Sequence, residues 1–316
     1  MSQASPHISI CIPAYKRIEF IGRLLKSIVI QDYKDYEVIV TDDSPDDSVR
    51  RLCDEYTSQL PLKYFRNTST LGTPENWNEG IKRASGAWIK LMHDDDWFEG
   101  PGALSRFAKA THDYTDAAFI FSAYTNHHSS TGKKELVNVD GFRFRALRKN
   151  PSTLFSRNIV GPPSVTIHRN DGKFYYDKNV KWVVDIDFYI RYLSQTPPFY
   201  IDKPLINVGL GEHQVTQDCV RQRVVEIPEN FYLLNKVGYD NMFNILVFDA
   251  WWRLMRNLEI TNTNEIREAG YTGPIPLVIE SIIKFQAKFS KPLLKFGPAS
   301  KALMTIAYLK YKKQIG

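Results

Sequence analysis

Three consecutive carboxylates, Asp94, Asp95 and Asp96, stand at the end of a short apolar run, Trp88-Ile-Lys-Leu-Met92. Adjacent acids repel one another, and a divalent cation bound to their oxygens relieves that repulsion. Such ligands suit Mg²⁺ or Mn²⁺, above all where substrate phosphates complete the coordination. A strand ending in acids fixes the backbone and presents side chains at its carboxyl end, the edge on which open α/β sheets bind ligands. The triplet equally fits the solvated start of a helix, where Asp is a common cap. On these three residues alone both readings stay open.

Two further clusters follow apolar runs: Pro13-Ala-Tyr-Lys-Arg17 after Ile8–Ile12, and Asp42-Asp43-Ser44 after Glu37–Val40. In a mostly parallel sheet the strands' carboxyl ends share one edge, so the three clusters are expected to converge on one crevice. A nucleotide fits such a crevice. Asp43 can accept a hydrogen bond from a base N–H, Tyr15 can pack against the ring, and the triplet can hold a metal on the phosphates. No Gly-rich phosphate loop of the Walker or dinucleotide kind is present. A bound diphosphate would therefore rely on the metal, a combination typical of nucleotide-sugar chemistry.

The elements that must position these residues are readable from periodicity. After the first strand, Ile21, Leu24, Leu25 and Ile28 recur at i, i+3, i+4 and i+7, the apolar face of a helix. Val49, Leu52, Cys53 and Tyr56 mark a second helix, Leu62–Phe65 a third strand, and Thr73-Pro74-Glu75 the start of a third helix with Pro at its first position and Trp77, Ile81 and Ala84 facing inward. This βαβα order predicts an α/β fold. Leu104, Phe107 and Ala108 suggest another helix, and Ala117–Tyr124 another strand. Residues 125–150 read as polar and irregular, with a turn at Asn126–Gly132 that leaves His127 and His128 on a loop surface. Ser164–His168 reads as a strand, Asp185 begins a helix carrying Ile186, Tyr189, Ile190 and Leu193, and Phe199–Val208 is extended. Beyond about residue 228 the chain turns helical, with Phe243, Leu246, Val247, Ala250, Trp251, Leu254 and Leu258 as one stripe.

The 316 residues suffice for two domains, and 43% hydrophobic with 24% charged residues is ordinary for a soluble globular protein. Cys11, Cys53 and Cys219 form neither a zinc pattern nor a disulfide framework, which points to a reducing compartment. The first residues lack a secretory signal, and no apolar run approaches the roughly 18 residues needed to cross a bilayer. The net charge of +6 is uneven: residues 281–316 hold eight lysines and no Asp, Glu or Arg, and subtracting that +8 leaves −2 for the rest. That distribution argues against a nucleic-acid groove in the main body. Lys284, Lys288, Lys291 and Lys295 would share one face of a basic amphipathic helix, which Pro292 must break or kink.

Together, Ile8-Ser-Ile-Cys-Ile-Pro-Ala-Tyr15, Tyr36–Ser44, Asn78-Glu-Gly-Ile81 with Ala84-Ser-Gly86, and His93-Asp-Asp-Asp-Trp97 resemble the family 2 inverting glycosyltransferases over about residues 7–215. The resemblance implies the GT-A fold: a Rossmann-like, mostly parallel central sheet flanked by helices, here with a C-terminal helical extension. Residues 1–225 would be the catalytic domain, with a nucleotide-binding half to about 125 and an acceptor-side half from 126, and 226–316 the helical region. It further implies that Pro13, Ala14, Tyr15, Arg17, Asp43, Asn78, Asp94 and Asp95 bind the nucleotide sugar, with Asp94 nearer the ribose and Asp95 on the metal, Mn²⁺ or Mg²⁺. Asp96 is an alternative ligand, and His93 stands where many members carry an acid. Val184-Asp185-Ile-Asp-Phe-Tyr-Ile-Arg191 resembles the family's catalytic segment, with Val184 where many members have Glu. Asp185 would then be the general base, against a plain helix-cap role, and Asp187 would support Arg191. Gly209–Thr216 resembles a late segment whose His, here His213, approaches the diphosphate or metal. Pro163, Ser164 and Trp182 would lie on the acceptor side.

The resulting expectation is a cytoplasmic, metal-dependent inverting transferase. It would move a hexose or N-acetylhexosamine from a nucleoside diphosphate sugar, of the UDP class, to a growing, lipid-linked surface glycan. The lysine-rich tail would hold it peripherally on the anionic inner face of the cell membrane, with packing against the catalytic domain or a second subunit as the rival for that tail. Two other readings compete for the whole chain. A nucleotidyltransferase that makes the activated sugar would bring a Gly-rich basic loop after its first strand, unlike Ala14–Arg17, and a non-catalytic glycan-binding scaffold would keep the fold without turnover.

Overall fold

The computed structural model describes residues 5–211 and 221–315, so His213 and Cys219 lie outside the described residues. Two compact units are present, Met1–Arg148 with Ile159–Glu212, and Lys149–Asn158 with His213–Gly316.

The first unit opens with β1 (Ile8–Ala14), α1 (Ile18–Val29), β2 (Tyr36–Asp42), α2 (Ser48–Asp54), β3 (Leu62–Arg66), α3 (Glu75–Arg83) and β4 (Trp88–Leu91). It continues through β5 (Trp97–Phe98), α4 (Ala103–Asp113), β6 (Phe119–His128), β7 (Lys134–Val137), α5 (Gly141–Lys149), β8 (Thr166–Arg169), α6 (Val184–Leu193) and β9 (Pro198–Leu210). The sheet order is β3-β2-β1-β4-β8-β6-β9-β5, with β7 on the outer part of β6. β1 to β4 run parallel, and β8 reverses the direction between β4 and β6. β1 and β2 are almost wholly buried and largely apolar, as strands covered on both faces are, with Ser9 and Glu37 among the buried polar exceptions.

Register decides where the clusters meet. Ala14 pairs with Asp42, and Cys11 with Leu91, so the triplet begins three residues beyond the last β1–β4 pair, level with the end of β1. A second device keeps β4 close to β1. Gly86 donates its N–H to Ser9 Oγ at 2.8 Å, and a Cβ there would lie 2.7 Å from Ser9 N, so only glycine permits the approach. Ser9 Oγ in turn donates to Glu37, which also accepts from Lys63 and from Ser85, tying three strands and the α3–β4 turn together.

Three local expectations change. α3 begins one residue later than the sequence suggests, with Pro74 at the cap. It buries Asn76, Asn78, Gly80 and Ile81 while Trp77 and Ala84 are only half-buried, because the amides bond backbone that apolar groups could not satisfy. Residues 125–150 are not irregular. β6 runs on to His128, turns into β7 and is followed by α5, since pairing with β9 from Tyr124↔Ile206 to His128↔Leu210 overrides the turn preference of Asn, His and Ser. His127 and His128 therefore sit half-buried in a strand.

The second unit contains α7 (Arg223–Val237), α8 (Ile245–Asn257), α9 (Thr263–Glu268), α10 (Leu277–Gln286), α11 (Lys291–Lys295) and α12 (Gly297–Ile315). Its core gathers Phe231, Phe248, Trp251, Trp252, Met255 and Ile279. Phe243 falls in a 3₁₀ turn ahead of α8; Val247, Ala250, Trp251 and Leu258 are buried as expected, and Phe248, Trp252 and Met255 widen that buried face. Pro292 lies in the first turn of α11, and the chain breaks after Gln286, so the four lysines do not share one helix. Lys291 and Lys295 both pair with Glu259, at 2.7 and 2.9 Å, and Lys301 pairs with Asp249 at 2.8 Å. No described helix is long and apolar enough to cross a membrane.

Candidate active site

Beneath the triplet, Lys90 has no exposure and lies between the Phe98 and Phe107 rings. Its ammonium donates to the Ser164 carbonyl oxygen. Burial lowers its proton affinity, and only the nearby Asp96 charge opposes the loss. Asp96 is 2% exposed; it accepts from Gly209 N–H at 3.0 Å and from the Ser164 hydroxyl. Burial, reinforced by the neighbouring Asp95, pushes its carboxyl up.

Asp94 is gripped from above. Arg17 Nε donates to one carboxylate oxygen at 3.0 Å and Nη2 reaches the other at 2.7 Å, a fork that matches the carboxylate plane. Burial outweighs that fork, and the Asp94 carboxyl is pushed up to about 7. Arg17 Nη1 also stands 3.6 Å from Asp95. Arg23 donates to the Asp95 carbonyl at 2.6 Å while its guanidinium lies over the Trp97 ring, 3.7 Å from the centroid. Gly209 passes so close that a Cβ would sit 2.5 Å from that same carbonyl oxygen. Three carboxylates thus meet three cations of the protein itself, Arg17, Arg23 and Lys90. These groups offset part of the triplet's repulsion, while burial and the Asp95 charge still hold Asp94 and Asp96 above the usual carboxylate range.

Asp95 and Asp96 nevertheless form a possible ligand set with His93. One ligand atom from each lies within 4.8 Å of the others. Of the expected metal ligands, Asp95 and Asp96 are therefore brought together, whereas His213 is outside the described residues. The His93 ring packs on Trp77, with centroids 4.7 Å apart. Trp77 meets Tyr176 edge-on at 5.1 Å, and Tyr176 stacks on Phe188 of α6 at 4.2 Å. This aromatic wall connects the triplet to Asp185, whose charge acts on Tyr176 and Tyr189. Asp185 lies inside the first turn of α6, and the cap position belongs to Val183, so Asp185 does not cap the helix. Among the described residues its carboxyl has no hydrogen-bond or ion-pair partner. Burial alone pushes it up to about 7. Asp187 does pair with Arg191, at 2.8 Å.

The glycosyl transferase family 2 model matches residues 9–166, half of the 316 residues. The chain belongs to this family. It is similar to the putative colanic acid biosynthesis glycosyl transferase WcaA of Escherichia coli K12, at 26% identity over 67% of this chain and 76% of that protein. The first curated relatives are matched over about two thirds of their own length. Among solved structures, Staphylococcus aureus TarS 1–349 in complex with UDP-GlcNAc superposes with a TM-score of 0.56 at 16% identity, covering 98% of this chain and 92% of that one. The mannosyltransferase PcManGT of Pyrobaculum calidifontis, in complex with GDP-Man and Mn²⁺, gives 0.53 at 14%, covering 99% and 89%. At such identities the likeness is one of fold, and the fold is GT-A-like.

Within this family frame the remaining expected residues divide. Tyr15 is 46% exposed at the end of β1, with the Lys16 ammonium 4.9 Å from its ring, and Pro13 beside it is half-buried. Ala14 is buried, and its carbonyl accepts from Asp43 N–H and Asn76. The Asp43 carboxylate accepts from Asn67 at 2.8 Å, Leu71 N–H at 3.0 Å and Gly72 N–H at 2.8 Å, so it fixes the turn facing Tyr15's strand end. Asn78 commits both ends of its amide to the Tyr176 backbone, at 2.8 and 2.9 Å, and thereby sets the ring that flanks Asp185. Ser164, fully buried, braces the triplet from beneath: its hydroxyl accepts from His93 N–H at 2.9 Å. Pro163 is buried in the same short turn, and Trp182 is half-buried just ahead of α6.

Sequence reasoning passed over Arg23, Lys90 and Tyr176, gave Gly209 no role of its own, and left His127 on a loop surface. His127 contacts Trp97 at 4.7 Å and Asn207 at 2.6 Å. One signal was present for Lys90, a lone ammonium inside an otherwise apolar strand. Replacing it tests the charge balance. Lys90→Met is expected to lower the unfolding free energy by about 1–3 kcal/mol, the usual cost of leaving a buried acceptor such as the Ser164 carbonyl unsatisfied, with the nearby Asp96 charge also losing its neighbour, as read by urea denaturation at pH 8. An unchanged midpoint would mean that Asp96 does not depend on this cation.

Proposed function

We propose that this glycosyltransferase moves a hexose or N-acetylhexosamine from a nucleoside diphosphate sugar, of the UDP class, to a glycan hydroxyl with inversion at the anomeric carbon. The observation that carries the reading is Asp185: an acid without a partner among the described residues, held near neutrality by burial, at the end of an aromatic wall that begins at the cation cluster. A general base works best with an affinity close to the operating pH. The TarS complex with UDP-GlcNAc supports a UDP-sugar, the PcManGT complex with GDP-Man supports a nucleoside diphosphate sugar more broadly, and the likeness to WcaA supports a polysaccharide acceptor.

The donor's base packs on the exposed Tyr15 ring, with the Asp43 turn closing that side. Asp95 and Asp96 with His93 offer a nitrogen and two carboxylates to a divalent ion, Mn²⁺ or Mg²⁺, and the buried His93 Nε2, which has no hydrogen-bond partner among the described residues, fits that assignment. When bound, such an ion supplies positive charge to the departing diphosphate. Arg17, 37% exposed in its side chain, stands beside the same acids and can turn toward a phosphate. Asp185 takes the proton of the acceptor hydroxyl as its oxygen attacks the anomeric carbon from the face opposite the leaving diphosphate. Direct displacement then inverts the configuration.

The second unit supplies a reading for the acceptor. On α12, Ile306 and Leu309 are 45% and 53% exposed, and Lys313 continues their face at helical spacing. Lys288, Lys310, Lys312 and Lys313 have no acidic partner among the described residues. An apolar stripe beside unpaired lysines suits an anionic membrane surface, each lysine adding about 1 kcal/mol, and a lipid-linked glycan would be presented there.

Three outcomes are expected. Asp185→Asn should lower turnover of a UDP-sugar by about 10²–10⁴-fold while donor affinity, read by calorimetry, stays within a few-fold. In the wild type the rate should fall about tenfold per unit below pH 7, because protonation removes the base. A rate that is flat from pH 5 to 8 would exclude Asp185 from that role. For the tail, co-sedimentation with vesicles containing anionic lipid should exceed that with neutral vesicles and should drop in Ile306→Asp/Leu309→Asp. Equal sedimentation would end the membrane reading.

A further inference from the structure

We infer that His93 is itself a ligand of the divalent ion, and that this nitrogen shifts the site's preference from Mg²⁺ toward Mn²⁺ and the later first-row ions such as Co²⁺. The inference rests on the donor-and-metal reading above and deepens it, because it concerns which ion is held and by which atom.

Four observations carry it. First, the described residues contain one group of metal-binding side chains whose ligand atoms fall within 4.8 Å of one another, and it contains an imidazole as well as two carboxylates. Second, Asp94, the remaining acid of the triplet, is forked by Arg17 through both oxygens and faces away from ligand duty. Third, His93 is held in place at both backbone and ring. Its backbone N–H donates to Ser164 Oγ at 2.9 Å, and its ring packs on Trp77 with centroids 4.7 Å apart. Fourth, its Nε2 is sealed from solvent and finds no hydrogen-bond partner among the described residues. Such an orphan is unfavourable in a finished core, and a nitrogen–metal bond would satisfy the imidazole. A preorganised nitrogen beside two carboxylates is a poor set for Mg²⁺, which takes oxygen ligands in a strict octahedron. For borderline ions it is a good one, with affinity rising from Mn²⁺ to Co²⁺.

The test uses the full chain and the metal chlorides alone, then with UDP. Pulsed electron paramagnetic resonance of the Mn²⁺-loaded wild type should show the ¹⁴N couplings of a directly bound imidazole, and His93→Asp should abolish them while retaining a Mn²⁺ signal. By calorimetry the wild type should prefer Mn²⁺ over Mg²⁺ by at least about tenfold more than His93→Asp does. His93→Gln serves as a second variant if the aspartate does not fold, and the wild-type spectrum requires neither. Absence of ¹⁴N coupling in the wild type overturns the inference, as does coupling that survives in the variants, which would assign the nitrogen to another histidine. In either case divalent-dependent UDP binding would leave the transferase reading standing. If neither ion binds nor promotes UDP binding, both fail together.

Discussion

Three adjacent acids at the end of one strand, two of them almost fully buried, place a constraint on their surroundings: positive charge near each lowers the cost that burial imposes on Asp94 and Asp96. The chain meets that constraint with Arg17 above Asp94, Lys90 beneath Asp96, and Arg23 on the Asp95 backbone. Much of the surrounding architecture follows from it. Gly86 lets β4 lie close enough to β1 for Arg17 to reach over the strand end. Gly209 lets β9 pass against the Asp95 carbonyl and donate to Asp96. Ser164 stands under the triplet because Lys90 needs an acceptor and the His93 N–H needs one too. A site compensated in this way is rigid before substrate arrives, which is the condition under which a charged donor can be bound without reorganising its surroundings.

The same rigidity extends sideways. His93, Trp77, Tyr176 and Phe188 form a continuous chain of ring contacts from the strand end to α6, and Asn78 fixes Tyr176 through both of its backbone polar groups. At the far end stands Asp185, whose charge acts on Tyr176 and whose carboxyl has no hydrogen-bond partner among the described residues. An unpaired carboxyl in such surroundings keeps a raised affinity for a proton, which a hydrogen bond or ion pair would lower.

How much of this was legible depended on the range of the interactions concerned. The βαβα opening, the α1 face at Ile21, Leu24, Leu25 and Ile28, and the strand that ends in the triplet follow from local periodicity, and the structure has them where the sequence puts them. The fate of each acid did not follow, because Arg17 lies 77 residues from Asp94 and Ser164 lies 74 from Lys90. Residues 125–150 misled for the related reason that β9, rather than local preference, makes a strand of Asn126, His127 and His128. In the C-terminal unit the lysine run was visible, but the acids that neutralise part of it, Glu259 and Asp249, belong to another helix and its following turn.

The central claim is that this strand end holds a nucleoside diphosphate together with a divalent ion. Titration calorimetry of UDP into the full chain, with and without Mn²⁺, measures it most directly. The account predicts binding at least about tenfold tighter with the ion, a coupling of about 1.4 kcal/mol or more, and loss of that gain in Asp95→Asn. Equal affinity in both conditions, or a gain that survives in Asp95→Asn, would contradict it.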